Sequence, residues 1–170
     1  MPSSTDFFRR LSRLKNQIET APAVLHQTIV RNLGEEAHAL ISEGFRTQTD
    51  PYGDRWKDKV ISDGRSALSG ATSRLKNFAP AVISRLGFRI SSTVNYAVFH
   101  QGGTGIYGPR HRRIVPIKAK ALRIPGLGYR ASVAGSPVRL MVPTKARGLP
   151  RSWARAFKSV SAEIIRDHFK

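Results

Sequence analysis

From Gly64 to Ala162 the chain carries 18 lysines and arginines and not one aspartate or glutamate. A stretch like this constrains folding, because a surface of one sign repels itself and weakens any compact state. Ordinary surfaces mix both signs. The flanks hold the other 11 basic residues and all 11 acidic ones, so the whole formal charge of +18 resides in those 99 residues. Such a footprint implies an anionic partner, with nucleic acid first and an acidic protein face second.

At 170 residues the length fits a single domain, 1–170, with room for one core. Its parts are a helical N-terminal part with a turn (1–63), a basic strand-and-loop part (64–150) and a C-terminal helix (151–170). The 40% apolar fraction argues against wholesale disorder. No run of apolar residues is long enough to span a membrane, and the start Met-Pro-Ser-Ser-Thr-Asp has no apolar signal core. With zero cysteines there is no disulfide, no thiol nucleophile and no cysteine-ligated zinc. The expected setting is a reducing cytoplasm, with no membrane partner.

Hydrophobic spacing predicts an α+β fold: N-terminal helices, a small mostly antiparallel sheet with long loops, and a C-terminal amphipathic helix. Phe7, Leu11, Leu14 and Ile18 form one helical stripe, capped by Asp6. Thr20-Ala-Pro22 suggests a fresh start, followed by a second stripe of Leu25, Ile29, Leu33, Ala37 and Leu40 or Ile41. Gly34 weakens that helix by up to ~1 kcal/mol, and Gly44 is the expected C-cap. Asp50-Pro51-Tyr52-Gly53 is a turn by its chemistry, with Trp56 packing it onto the core.

Further on, Val82, Leu86, Phe88 and Ile90 point one way and Arg85 and Arg89 the other, as in a half-buried strand. Residues 62–73 have loop composition, and Leu75 to Phe78 anchor its end. Tyr96 to Gln101 reads as a helical turn or a strand end. Ile114 to Ile117, Ala121 to Ile124 and Val138 to Val142 are short strand candidates. Long loops run from Gly102 to Arg113 and from Gly126 to Pro137, expected to order fully against neighbours. The last helix is capped by Ser152 and buries Trp153, Phe157, Val160 and Ile164. Its opposite face carries Arg151, Arg155, Lys158, Arg166 and Lys170.

Catalytic chemistry finds little material. The central stretch has no carboxylate for general acid–base work or magnesium. The five histidines, His26, His38, His100, His111 and His168, lack metal-ligand spacing. Asp50, Asp54 and Asp58 resemble the start of a calcium loop, but Arg55 replaces its glycine and Ile61 its glutamate. Ser73-Arg-Leu-Lys76 matches Ser-x-x-Lys without the motifs that accompany it in enzymes. The glycines between 102 and 105 lack the ending of a phosphate loop, though their amides could hold an anion. The expectation is no enzyme, no cofactor and no metal.

Charge supplies the candidate site. Arg110, Arg112 and Arg113 cluster in the first long loop; Lys118, Lys120, Arg123, Arg130, Arg139, Lys145 and Arg147 follow. Only Tyr107 and Tyr129 interleave with them, too few for a base-stacking platform. Contact with a duplex backbone, without reading its sequence, fits this composition.

Several motifs together resemble one family. Phe45 and Asp50-Pro51-Tyr52-Gly53-Asp54-Arg55-Trp56 are similar to the Phe…Asp-Pro-x-Gly-x-x-Trp signature of bacteriophage tail-completion proteins, also called virion-morphogenesis proteins. Leu75-Lys-Asn-Phe78 resembles their Leu-x-x-Ser/Phe segment. Tyr96-Ala97-Val98-Phe99-His100-Gln101-Gly102-Gly103 resembles their Tyr-Ala-x-x-His-Gln-x-Gly. Ile117 to Pro125 is similar to their Pro-x-x-x-x-x-Leu-x-Phe element. The resemblance spans residues 30 to 168 and departs at Pro143-Thr144-Lys145-Ala146-Arg147, where the family often has Pro-Ala-Arg-Pro-Phe-Leu.

The resemblance implies a minor structural virion protein at the head–tail junction, assembled in the host cytoplasm. It implies a homo-oligomeric ring, hexameric by preference, against neck, connector and tail-tube or tail-terminator proteins, with double-stranded DNA in the channel. Phe45, Asp50, Pro51, Gly53 and Trp56 are then fold determinants, and Tyr96, His100 and Gln101 belong to fold or interface. The alternative is a free-standing, sequence-nonspecific DNA- or RNA-binding protein.

Overall fold

A computed structural model describes residues 4–59, 64–68 and 74–168, with side chains from residue 23 onward. The stripe of Phe7, Leu11, Leu14 and Ile18, the Asp6 cap and Ser73 lie outside the described side chains. The fold is α+β. Helix α1 (Ser4–Thr47) leads to a hairpin, β1 (Val82–Ser84) and β2 (Gly87–Arg89). Short helix α2 (Ala97–Gly102), a second hairpin of β3 (Leu122–Ile124) and β4 (Gly128–Arg130), and α3 (Arg151–His168) complete it.

Helix α1 is one element of 44 residues, about 66 Å long at 1.5 Å per residue. The fresh start expected at Thr20-Ala-Pro22 does not occur. A proline removes one donor from its turn, and good helix formers on both sides carry the helix through it. Ala37 and Ile41 of the expected stripe are buried, but upstream the packed face differs from it. Val30, Gly34, Ala37, Ile41 and Phe45 are buried, whereas Leu25, Ile29 and Leu33 are only half-buried.

Gly34 is the point of closest approach. A Cβ there would lie 2.7 Å from the Ala81 Cβ, so the residue that weakens the helix lets the entry to the first hairpin cross it. The expected C-cap shifts as well. Gln48, at φ 59°, takes the left-handed position, and Thr49 N bonds to Gly44 O at 3.1 Å.

The single strand expected over residues 82–90 is a hairpin. Val82 pairs with Arg89 and Ser84 with Gly87 in antiparallel register. Gly87, at φ 144°, opens the turn, leaving Leu86 fully exposed at its tip. Phe88 and Ile90 pack against the core, and Phe88 meets Phe157 of α3 edge-on at 6.2 Å. Both β1 and β2, like α3, lie against α1.

Around this contact the core gathers Ala37, Ile41, Phe45, Trp56, Leu75 and Trp153. Leu75 anchors the end of the loop as expected. His38 ties α1 to the next segment, its Nε2 2.7 Å from Ala79 O. In α3, Trp153 is buried and Phe157, Val160 and Ile164 are half-buried, the expected stripe. Arg151, Arg155, Lys158 and Arg166 are exposed; Lys170 lies outside the described residues. Ser152 is not the cap. Pro150 O accepts from Ala154 N at 2.9 Å, so Pro150 opens the helix.

The second hairpin stands apart. Leu122 pairs with Arg130 and Ile124 with Gly128, so part of the expected 126–137 loop is β4. Ile114 forms one bridge to Val133 rather than a strand, and Val138 to Val142 joins no ladder.

Candidate functional site

The Asp50 turn is built from one carboxylate. Its Oδ1 accepts from Tyr52 N at 2.8 Å and Asp54 N at 2.9 Å, while Gly53, at φ 96°, turns the chain. The turn delivers Trp56 into the core, edge-on to Phe45 at 5.2 Å. Trp56 Nε1 then donates to Leu140 O at 2.9 Å. These motif residues join α1 to a segment some eighty residues away, as fold determinants do.

Two of the ten candidate cations make contacts within this framework: Arg139 is buried, while Arg147 pairs with its acids yet stays exposed. Arg139 is only 5% exposed. Its Nε donates to Lys57 O at 2.7 Å and a terminal nitrogen to Asp58 O at 2.8 Å. Burial pushes its pKa below the usual guanidinium value, partly offset by Asp58. Arg147 stacks on Tyr52, its guanidinium carbon 3.7 Å from the ring centroid. It also reaches Asp50 and Asp54, each at 3.4 Å. The pairing draws on acids before Gly64, so a basic segment meets its counter-ions across the fold. Tyr52, missed in the sequence because it fills the variable place of Asp-Pro-x-Gly, locks the far side. Its hydroxyl accepts from Thr144 N at 3.0 Å and donates to Gly148 O at 2.8 Å.

The remaining eight candidates are exposed. Arg110, Arg112, Lys118, Lys120, Arg123 and Lys145 have no acidic partner among the described residues. Arg113 donates from Nε to Ser132 Oγ at 2.9 Å, and Arg130 to Tyr129 O at 3.0 Å. Strand alternation separates two of them. Arg130 sits opposite Leu122, while Arg123 sits opposite Tyr129 on the other face of the hairpin. Arg123 and Arg130 therefore do not form one spot on the β3–β4 arm.

In the glycine loop, Thr104 N donates to Ser136 O at 2.9 Å and, just beyond it, Ile106 N donates to Ala134 O at 2.8 Å, so those two amides are already engaged. Gly105, at φ 63°, lies so close to Ala134 O that no side chain fits.

Between the β3–β4 arm and α2 lies a cavity of about 660 Å³. Leu75, Ile124, Leu127 and Val133 give it apolar walls; Lys59, Arg74, Arg113, Arg130 and Arg139 give it cations, and among the described residues no acid lines it. Tyr96 and His100 of the motif also line it, their rings edge-on at 6.1 Å. His100 Nδ1 is buried without a hydrogen-bond partner. Burial first, and the Arg139 cation second, push its pKa below the usual imidazole value. The third motif residue, Gln101, turns to the backbone of Met141 and Val142 instead.

Among the described residues no three His, Asp or Glu side chains gather as a metal site needs, and no helix is long and apolar enough to cross a membrane. Compared with protein families, curated proteins and solved structures, the chain matches none of them.

Proposed function

We propose that this chain is a structural virion protein of a tailed bacteriophage that completes the tail end and joins it to the head, as a ring around the DNA path. The observation that carries this reading is uncovered apolar surface among the described residues: Leu86 and Ile117 are almost wholly exposed and Tyr129 is 69% exposed, side chains suited to burial by neighbours. Supporting it, the motif residues that resemble tail-completion proteins are the ones that join distant segments.

In this reading Arg110, Arg112, Lys118, Lys120, Arg123 and Lys145 meet phosphates or an acidic ring. Backbone contacts without base readout hold a duplex yet let it slide during ejection. No catalytic step is assigned. Negative-stain images of particles made without the protein test the reading: unjoined heads and tails are expected, and normally joined particles overturn it.

The six exposed cations without acidic partners also favour a second reading, a free-standing DNA- or RNA-binding protein. Native mass measurement with a gel-shift titration separates the two. A monomer or dimer that binds nucleic acid avidly favours the second; a ring favours the first.

A further inference from the structure

We propose that the 660 Å³ cavity is a docking site for an extended acidic segment, bearing apolar side chains, of a neighbouring protein in the assembly. The inference relies on the assembly reading only for the source of that segment. It concerns a different place from the duplex-facing cations.

Two properties of the cavity select this occupant together. The walls of Leu75, Ile124, Leu127 and Val133 need apolar groups to displace water. Arg74, Arg113 and Arg130 are exposed residues on its lining, which carries no acid among the described residues. A duplex satisfies the cations but cannot enter a space of this size, and it leaves the apolar walls wet. A purely apolar ligand fills the walls and leaves the cations unanswered. An extended peptide meets both demands, because successive side chains point to opposite sides. Apolar residues turn to the walls while alternate carboxylates turn to the arginines, and such charge complementarity guides encounter and register.

His100 adds a polar contact. It lines the cavity, and its buried Nδ1 has no hydrogen-bond partner among the described residues, so a small ring shift would let it engage a peptide N–H. The volume lies within the roughly 300–1,000 Å³ of ligand-binding clefts. Of the chain's own carboxylates, Asp50 and Asp54 pair with Arg147, while Asp58 acts on Arg139 of the lining and leaves Arg74, Arg113 and Arg130 to the occupant.

The test uses the full chain, immobilised, and a pool of octapeptides that alternate Asp or Glu with Leu, Ile or Phe. At about 150 mM salt, where long-range surface attraction is screened, the chain should retain this pool. It should release pools with serine replacing the apolar residues or glutamine replacing the acids. The best-retained peptide is then labelled and followed by fluorescence anisotropy. Leu127→Glu, and the pair Arg113→Glu and Arg130→Glu, should each weaken binding roughly tenfold or more. Lys118→Glu and Arg123→Glu, off the cavity, should change it by less than about twofold.

Circular dichroism checks that each variant folds; the exposed Arg130→Glu carries the test if Leu127→Glu does not. The proposal is overturned if no peptide is retained, if the serine pool is retained equally, or if Lys118→Glu harms binding as much as the cavity variants. Displacement of the peptide by a short DNA duplex would overturn it in favour of a nucleic-acid site. Binding only after residues 60–63 are replaced by glycine and serine would instead make the chain's own segment the occupant. Peptide loss with unjoined particles sinks this inference alone, whereas retained peptide with normally joined particles sinks the head–tail reading alone.

Discussion

Gln101 and Val142 exchange two hydrogen bonds: the Gln101 Nε2 donates to Val142 O at 2.8 Å, and its Oε1 accepts from Val142 N at 3.3 Å. The same oxygen accepts from Met141 N at 2.7 Å. One side-chain amide thus does for residues 141–142 what a neighbouring strand does in a sheet. It explains why Val138 to Val142 has a strand's composition but no ladder.

Replacing Gln101 by glutamate sets an acceptor against Val142 O and removes the only side-chain donor there. The expected loss is about 1–3 kcal/mol, the cost of an unpaired buried group. Urea unfolding of Gln101→Glu checks it, and an unchanged midpoint would show the amide to be incidental.

Gly34→Ala sets two effects of opposite sign against each other. Alanine favours a helix interior by about 1 kcal/mol over glycine. The new Cβ would stand 2.7 Å from the Ala81 Cβ, closer than packed carbons tolerate. Overpacking of this kind costs about 1–3 kcal/mol, so the variant should melt lower than the parent. Adding Ala81→Gly should restore most of the loss, and a rise in melting temperature for Gly34→Ala alone would contradict the crossing.

The salt dependence of duplex binding should separate outward cations from inward ones. Each phosphate contact contributes about 0.9 to the slope of log affinity against log salt. Arg110→Ser with Arg112→Ser should therefore flatten the slope by about 2. Arg139→Met should leave the slope alone while lowering stability by about 1–3 kcal/mol, since two carbonyls lose their donor. A flatter slope for Arg139→Met would mean that this arginine reaches phosphate.

His100 makes stability depend on pH in a known direction. Its pKa in the folded chain lies below the ordinary 6.5, through burial and then Arg139. As pH falls through 6.5 the unfolded chain takes up the proton first. This contribution is therefore fully present above pH 6.5 and declines below it, toward and past the folded-state value. His100→Gln should flatten the acid limb of a stability-versus-pH curve; limbs that fall in parallel would remove His100 as the cause.

Local patterns showed the α+β class, the Asp50 turn, the Leu75 anchor and the buried side of α3. They failed where one element is shaped by another. Val30 and Gly34 face the core because the first hairpin crosses α1 at Ala81, a contact between residues 47 positions apart that periodicity cannot contain. Arg139 and Arg147 look like their neighbours in the basic stretch; only the positions of Lys57 and Asp58 bury Arg139, and only Asp50 and Tyr52 hold the exposed Arg147 against the turn. The cavity had a partial signal in Tyr96 and His100, whose place in a motif suggested a role but not which one. Its apolar walls bring together Leu75, the β3–β4 turn and Val133, which no local reading joins.

The uncovered side chains of Leu86, Ile117 and Tyr129 have a consequence for behaviour in dilution. Under the proposed assembly, neighbours cover them, and mass action then governs part of the stability. On that reading the melting temperature should climb with protein concentration, and durability would belong to the particle more than to the polypeptide.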